Sequence, residues 1–321
     1  MTGLVVINRL SKQFGNLVAV DDISLEVAKG EVLGFLGPNG AGKSTTMKMA
    51  AGFLEPDHGT TEICGFDVAT EPKKAKQHIG YLPEGAPVYG EMTASHFLSF
   101  VAEVRGLNGA ARRAAIDSAI ERTGLQSVVG QTVETLSKGF KRRVGLAQAI
   151  MHDPDVLILD EPTDGLDPNQ KYEVRKLIKE MSPEKAIIVS THILEEVDAV
   201  CTRAVIIDKG RIVADGTSQQ LKLKLPNHNA VSLRLAISDL EKTRAALEGL
   251  SDVAKVETVG QGESQAHLRI LPKGGKSIAT GVVQCLTGME VYAEELFVEQ
   301  GSLDDVFHQI TTPDIEGAAH G

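Results

Sequence analysis

Gly37-Pro38-Asn39-Gly40-Ala41-Gly42-Lys43-Ser44-Thr45 is the stretch on which the fold turns. Its first eight residues fit the pattern G-x-x-x-x-G-K-[ST]. Glycines at this spacing let backbone N–H groups close around phosphates, where a Cβ would obstruct them. Lys43 has the reach for the outer phosphates of a nucleoside triphosphate, and the Ser44 hydroxyl suits Mg²⁺. The flanks agree. Glu31-Val32-Leu33-Gly34-Phe35-Leu36 reads as a buried strand leading in. Residues 45–51 read as the first turns of a helix, whose N-terminus favours an anion. Taken without its flanks, the loop would be a glycine-rich turn with a solvated lysine.

A second stretch points the same way. Val156-Leu157-Ile158-Leu159-Asp160-Glu161-Pro162 is an apolar run ending in two acids, the pattern of a strand buried on both faces. A carboxylate at the C-terminal end of such a strand can hold Mg²⁺, directly or through water, and Asp160 fits that role. Glu161 follows at once and is the candidate for polarising an attacking water.

The chain has 321 residues, 42% hydrophobic and 24% charged, enough for two domains with ordinary cores. Its net charge of -10 argues against a broad nucleic-acid surface. Cys64, Cys201 and Cys285 are scattered, with no C-x-x-C spacing, which suits a reducing compartment. No basic-then-apolar leader opens the sequence, and no apolar run is long enough to span a bilayer. Any membrane role would therefore be carried by a partner.

Residues 4–7 and 18–27 read as strands, followed by β pattern at 59–64 and 79–82. Residues 93–150 change to helical character, with Gly124 as a stop after a helix at 110–123. Helix at 168–181, strand at 186–190 and helix at 193–200 follow. A hairpin at 204–207 and 211–213, turned at Lys209-Gly210, closes a first domain spanning 1–216. Residues 217–229 read as a linker, with Pro226, Asn227 and Asn229 as breakers. From 230 to 312 the expected order is β-α-β-β-α-β, a ferredoxin-like α+β sandwich. Its first helix is capped by Ser238, its last strand covers 290–293, and a final helix begins at Ser302. Residues 313–321 form a tail expected to be disordered.

Thr135-Leu136-Ser137-Lys138-Gly139-Phe140, placed before a helix, makes the resemblance specific. The chain resembles the nucleotide-binding subunit of ABC (ATP-binding cassette) proteins over roughly residues 4–216. The expected fold is α/β: a P-loop NTPase cassette with a RecA-like core, a β subdomain and a helical subdomain at about 93–150. The family signature is usually L-S-G-G-Q; Ser137 and Gly139 match it, and Lys138 and Phe140 depart from it. The resemblance implies that this loop binds the γ-phosphate of ATP held by a second copy, and a serine at a helix N-terminus is a sound anion site. Gly165-Leu166-Asp167-Pro168 resembles the D-loop at the dimer interface. His192, after Val189-Ser190-Thr191, sits where the family has its switch histidine, implying contact with the γ-phosphate and the water. Phe14 sits where the family stacks an aromatic ring on adenine. At Glu84 the family usually has glutamine near Mg²⁺ and the membrane partner; a carboxylate there ligates Mg²⁺ well but adds negative charge beside ATP.

The glutamate loop, the altered signature, the C-terminal extension and Ser302-Leu303-Asp304-Asp305-Val306-Phe307 together resemble a bacterial exporter subgroup. That subgroup includes gliding-motility-associated and drug- or polysaccharide-export ATPases. The resemblance implies an ATPase that takes ATP and Mg²⁺. Two copies would close around two ATP molecules and drive a separate transmembrane permease at the cytoplasmic face of the inner (plasma) membrane. An ABC ATPase acting on nucleic acid or ribosomes, or a regulatory ATP-binding module, is the competing reading. The single cassette, the acidic balance, Glu161 and His192 weigh against it.

Overall fold

The computed structural model describes residues 3–85, 88–225, 227–262 and 264–311. Pro226 and the 313–321 tail, both assigned a role from sequence, lie outside the described residues. The chain divides into two compact units, Met1–Asp215 and Gly216–Gly321. Among the described residues the first unit holds two sheets and a helical lobe.

The larger sheet is made of β3 (Val32–Leu36), β6 (Ile79–Leu82), β7 (Val156–Asp160), β8 (Ala186–Thr191), β9 (Arg203–Asp208) and β10 (Arg211–Gly216). Its order is β10-β9-β3-β8-β7-β6. Strands β3, β6, β7 and β8 are buried along their whole length, as apolar strands covered on both faces must be. They pair in parallel, and the register sets the site. Leu36 lies opposite Thr191, Asp160 opposite Ser190 and Leu82 opposite Leu159. The segments after all four strands thus leave the sheet at one carboxyl edge, where α/β sheets bind ligands. Lys209 and Gly210, both at positive φ, turn β9 into β10, as a two-residue hairpin requires.

The smaller sheet is antiparallel, in the order β2-β1-β4-β5. Its strands are β1 (Val5–Phe14), β2 (Leu17–Val27), β4 (His58–Ile63) and β5 (Phe66–Asp67). Around the sheets lie α1 (Lys43–Ala50), α2 (Pro72–Gln77), α6 (Pro168–Met181) and α7 (Leu194–Val200). The helical lobe comprises α3 (Ala94–Val104), α4 (Gly109–Thr123) and α5 (Lys138–Ile150) around Phe97, Leu98, Leu125 and Val144. Gly124 ends α4 in the left-handed conformation, which costs glycine little.

The second unit has β11 (Ala230–Ala236), α9 (Leu240–Glu248), β12 (Val253–Gln261), β13 (Gln265–Pro272), α10 (Ala279–Gly288) and β14 (Ala293–Glu299). The strands form an antiparallel sheet in the order β12-β13-β11-β14. In chain order that is 2-3-1-4, the arrangement of a split βαβ sandwich. The unit also contains α8 (Ser218–Lys222) and α11 (Leu303–Thr311).

Three expectations need correction here. Residues 217–229 are not plain linker: Thr217 and Gln220 form a reciprocal capping box that starts α8. Ser238 does not cap α9; it lies inside a 3₁₀ turn, and Asp239 occupies the cap position. The last strand begins at Ala293, not Glu290. Glu290 is left-handed at φ 56°. Its N–H donates to Thr287 O at 3.1 Å and the Val291 N–H donates to Leu286 O at 3.0 Å. This paired closure ends α10 and uses up the residues that looked like strand.

Candidate nucleotide-binding and hydrolysis site

The loop after β3 is shaped by two of its glycines. A Cβ on Gly37 would fall 2.4 Å from the Ile207 carbonyl oxygen, and one on Gly42 would fall 2.3 Å from that of Ala19. Gly42 also has φ 105°. The loop therefore lies flat against β2 and β9, the Ala41 N–H turns back onto Pro38 O at 3.1 Å, and α1 starts at Lys43 with no side-chain cap. Lys43 is buried. Its Nζ donates to Gly37 O at 2.7 Å and Pro38 O at 3.1 Å, tying the loop to itself. Burial pushes the ammonium pKa down, and the charges of Glu161, Asp160 and Glu84 push it back up. Ser44 and Thr45 sit half-buried in the first turn of α1.

Asp160 closes β7 fully buried. The Ser190 hydroxyl donates to its Oδ1, while Oδ2 has no partner among the described residues. A buried carboxylate oxygen left alone is costly, and a hard cation is the chemistry that satisfies it. Arg142, on α5 and only 5% exposed, donates to Pro83 O at 2.9 Å and to the carbonyls of Asp160 and Glu161. One guanidinium thus joins the ends of β6 and β7.

Glu161 sits at φ 52°. A non-glycine residue there carries about 1–2 kcal/mol of strain. Its N–H is held by Ser190 O at 3.1 Å and Ser190 Oγ at 3.2 Å. Its carboxylate meets Nδ1 of His192 at 3.0 and 3.1 Å. Burial raises the Glu161 pKa above its ordinary value, and the contact with His192 and the charge of Lys43 partly offset this. Lys43, Asp160, Glu161, His192 and Glu84 therefore form one electrostatic group. Glu84 is exposed in the turn after β6 and acts on Lys43 by charge, with no hydrogen bond to Lys43, Ser44 or Asp160 among the described residues.

Ser137, Gly139 and Asp167 gather in a second group. Ser137 caps α5, accepting from Phe140 N at 3.3 Å. A Cβ on Gly139 would meet the Gln170 side-chain oxygen at 2.6 Å. Asp167 caps α6 by accepting from Gln170 N at 2.9 Å. Lys138, where the signature usually has glycine, pairs with Asp164 at 2.8 Å. Phe14 faces Leu17 across the β1–β2 hairpin, two residues before the Ala19 that backs Gly42. Its ring is half exposed, with the Lys12 ammonium 5.7 Å from its centre.

Sequence reasoning missed Ser190, Arg142, Thr163 and Glu196. Only Ser190 carried a signal, through its place beside Thr191 and His192.

Comparison with known proteins agrees with this geometry. Residues 20–164 match the model of the ABC transporter family. The chain is 33% identical over 304 residues to the linearmycin resistance ATP-binding protein LnrL of Bacillus subtilis (strain 168), covering 94% of this chain and 96% of LnrL. It is 39% identical over 219 residues to the probable multidrug ABC transporter ATP-binding protein YbhF of Escherichia coli (strain K12). That match covers 68% of this chain and only 38% of YbhF, so the chain spans well under half of that relative. A solved ATP-binding subunit of an ABC transporter superposes with a TM-score of 0.64 at 30% identity, covering 68% of this chain and 92% of that one. A phosphate loop, a buried strand ending in two acids and a histidine one strand over thus coincide with a near-full-length relative, and the chain belongs to the ABC transporter family.

Proposed function

We propose that the chain is the ATP-hydrolysing subunit of an ABC exporter. The observation that carries this is the paired Glu161 carboxylate and His192 ring beside Lys43 and Asp160, all at one sheet edge. The loop N–H groups, Lys43 and the start of α1 hold the phosphates. Phe14 supports the base. Ser44 and Asp160, with Glu84 nearby, would hold Mg²⁺, which neutralises phosphate charge when bound. Glu161 takes a proton from water, and His192 keeps the carboxylate oriented.

Ser137 and Asp167 bond only to their own helix starts and not to Lys43, Asp160, Glu161 or His192 among the described residues, which leaves them for a head-to-tail partner. Ser137, Gly139 and Asp167 of each copy would face the nucleotide of the other. Among the described residues no helix is long and apolar enough to cross a membrane, so the work would be delivered to a separate permease. A cleft of about 980 Å³ beside Pro83 offers Phe53, Tyr89 and Val104, all largely exposed, as a docking surface. The chain would then sit on the cytoplasmic face of the inner membrane through that partner. Phosphate release from Mg-ATP by the purified chain, with and without its co-purified membrane protein, tests the reading. No release in either preparation would overturn it.

A further inference from the structure

We infer that Glu196 is a positioning residue that holds the segments bearing Glu161 and His192 in one frame, and so governs turnover rather than nucleotide affinity. The inference rests on the hydrolytic reading above. The β7–β8 ladder ends at Asp160 opposite Ser190. Glu161 comes directly after Asp160, and His192 stands two residues beyond Ser190. They lie past the last rung, where parallel pairing no longer fixes their spacing. The Glu161 N–H to Ser190 is the last backbone link between the strands.

Further on, the two segments meet again at a single carboxylate. Glu196 lies in the first turn of α7, four residues after His192, and is 4% exposed. The hydroxyl of Thr163, two residues after Glu161, lies 2.5 and 2.6 Å from its two oxygens. The hydroxyl of Thr191, immediately before His192, donates to it at 3.2 Å and accepts from Ile193 N at 3.0 Å. Arg175 and Lys171 of α6 stand farther off, at 3.6 and 3.9 Å. The hydroxyl contacts are therefore the short ones, and the cations serve to balance a buried charge. A buried ion cluster is weak grounds for stability, because its desolvation cost offsets its attraction. The geometric result is distinctive: Thr163, Thr191 and α6 are all referred to one point behind the Glu161–His192 pair.

The test uses the full chain and compares wild type with Glu196→Ala, Glu196→Gln and Thr163→Val. It reads kcat, KM, binding of a fluorescent ATP analogue, and Tm. A misplacement of about 1 Å is worth about 100-fold in rate. We expect kcat of Glu196→Ala to fall by about 10- to 100-fold, with KM and analogue binding within about 3-fold of wild type. Glu196→Gln, which still accepts from one hydroxyl, recovers part of that loss. Thr163→Val lowers kcat, and adding Glu196→Gln to it costs less than the two losses multiplied. If Glu196→Ala does not fold, the Glu196→Gln and Thr163→Val arms decide. Wild-type turnover with kcat unchanged in the variants overturns the inference alone. A fall in kcat that merely tracks lost nucleotide binding or lost folded protein does the same. Absence of turnover in the wild type overturns the hydrolytic reading and takes this inference with it.

Discussion

Nδ1 of His192 lies 3.0 Å from one carboxylate oxygen of Glu161 and 3.1 Å from the other. The histidine side chain is 56% exposed and the glutamate only 14%. The ring therefore grips a nearly buried base from the solvent side, and its hydrogen bond is shared between both oxygens. Replacing the base while keeping its shape isolates the chemistry. Glu161→Gln is expected to bind Mg-ATP as wild type does and to hydrolyse it about 10²–10⁴-fold more slowly. Near-normal phosphate release from that variant would remove Glu161 from its role.

The same contact has a pH signature. Glu161 works as a carboxylate, and burial raises its pKa. Activity is therefore lost on acidification at a higher pH than an ordinary glutamate would give. Contact with His192 lowers that pKa, so His192→Ala removes a lowering influence. In its residual activity the acid limb moves to still higher pH. A pH–kcat profile of both proteins checks the direction, and a limb that moves the other way contradicts the pairing.

Ser190 donates to Asp160 Oδ1 and receives the Glu161 N–H. Ser190→Ala leaves both Asp160 oxygens without a protein partner. The expected cost is about 1–3 kcal/mol in stability, with a higher Mg²⁺ concentration needed for half-maximal turnover. Thermal melting and a Mg²⁺ titration of ATPase activity measure the two effects.

Gly40 and Gly42 both have positive φ, yet their surroundings differ. A Cβ on Gly40 meets nothing within 4 Å, whereas one on Gly42 meets the Ala19 carbonyl at 2.3 Å. Gly40→Ala should cost the conformational strain alone, about 1–2 kcal/mol. Gly42→Ala should cost more and abolish nucleotide binding, because β2 or the loop must move. Equal effects in melting and binding assays would refute the distinction.

Glu84 supports the charge on Lys43 against its burial. Glu84→Gln therefore lowers the Lys43 pKa further, and the alkaline loss of ATP binding begins at lower pH. Nucleotide affinity measured across alkaline pH reads this directly. An unchanged limb would place Glu84 too far from Lys43 to matter.

What could be read in the sequence followed from where the physics is local. β7 and β8 are apolar up to their carboxyl ends because both faces are covered, so Val156 to Leu159 and Ala186 to Val189 announced themselves. The helix read from Pro168 is α6, where proline suits the first turn, while the capping role of Asp167 shows only in the fold. By contrast, β14 carries Glu294 and Glu295 and is largely exposed, and its apolar run Leu296-Phe297-Val298 does not alternate, so no half-buried strand pattern marks it. Arg142 and Glu196 were invisible because their partners lie far along the chain: Pro83 for one, Thr163 for the other. Charged residues on helices ordinarily face water, and only the assembled fold shows these two buried.

Arg142 has a reach beyond the strands it joins. Its helix, α5, is capped by Ser137, five residues earlier and so roughly 7.5 Å along the axis. Gln148 on the same helix donates to Tyr81 O at 2.8 Å. The loop proposed to sense a second copy's nucleotide is thus rigidly geared to the backbone of Glu161 and to the Pro83–Glu84 turn. In a head-to-tail pair, occupancy of one site becomes a thermodynamic input to the other, and linkage makes that coupling reciprocal. Binding would then be cooperative between the paired sites, and Arg142→Ala would leave two sites that fill independently.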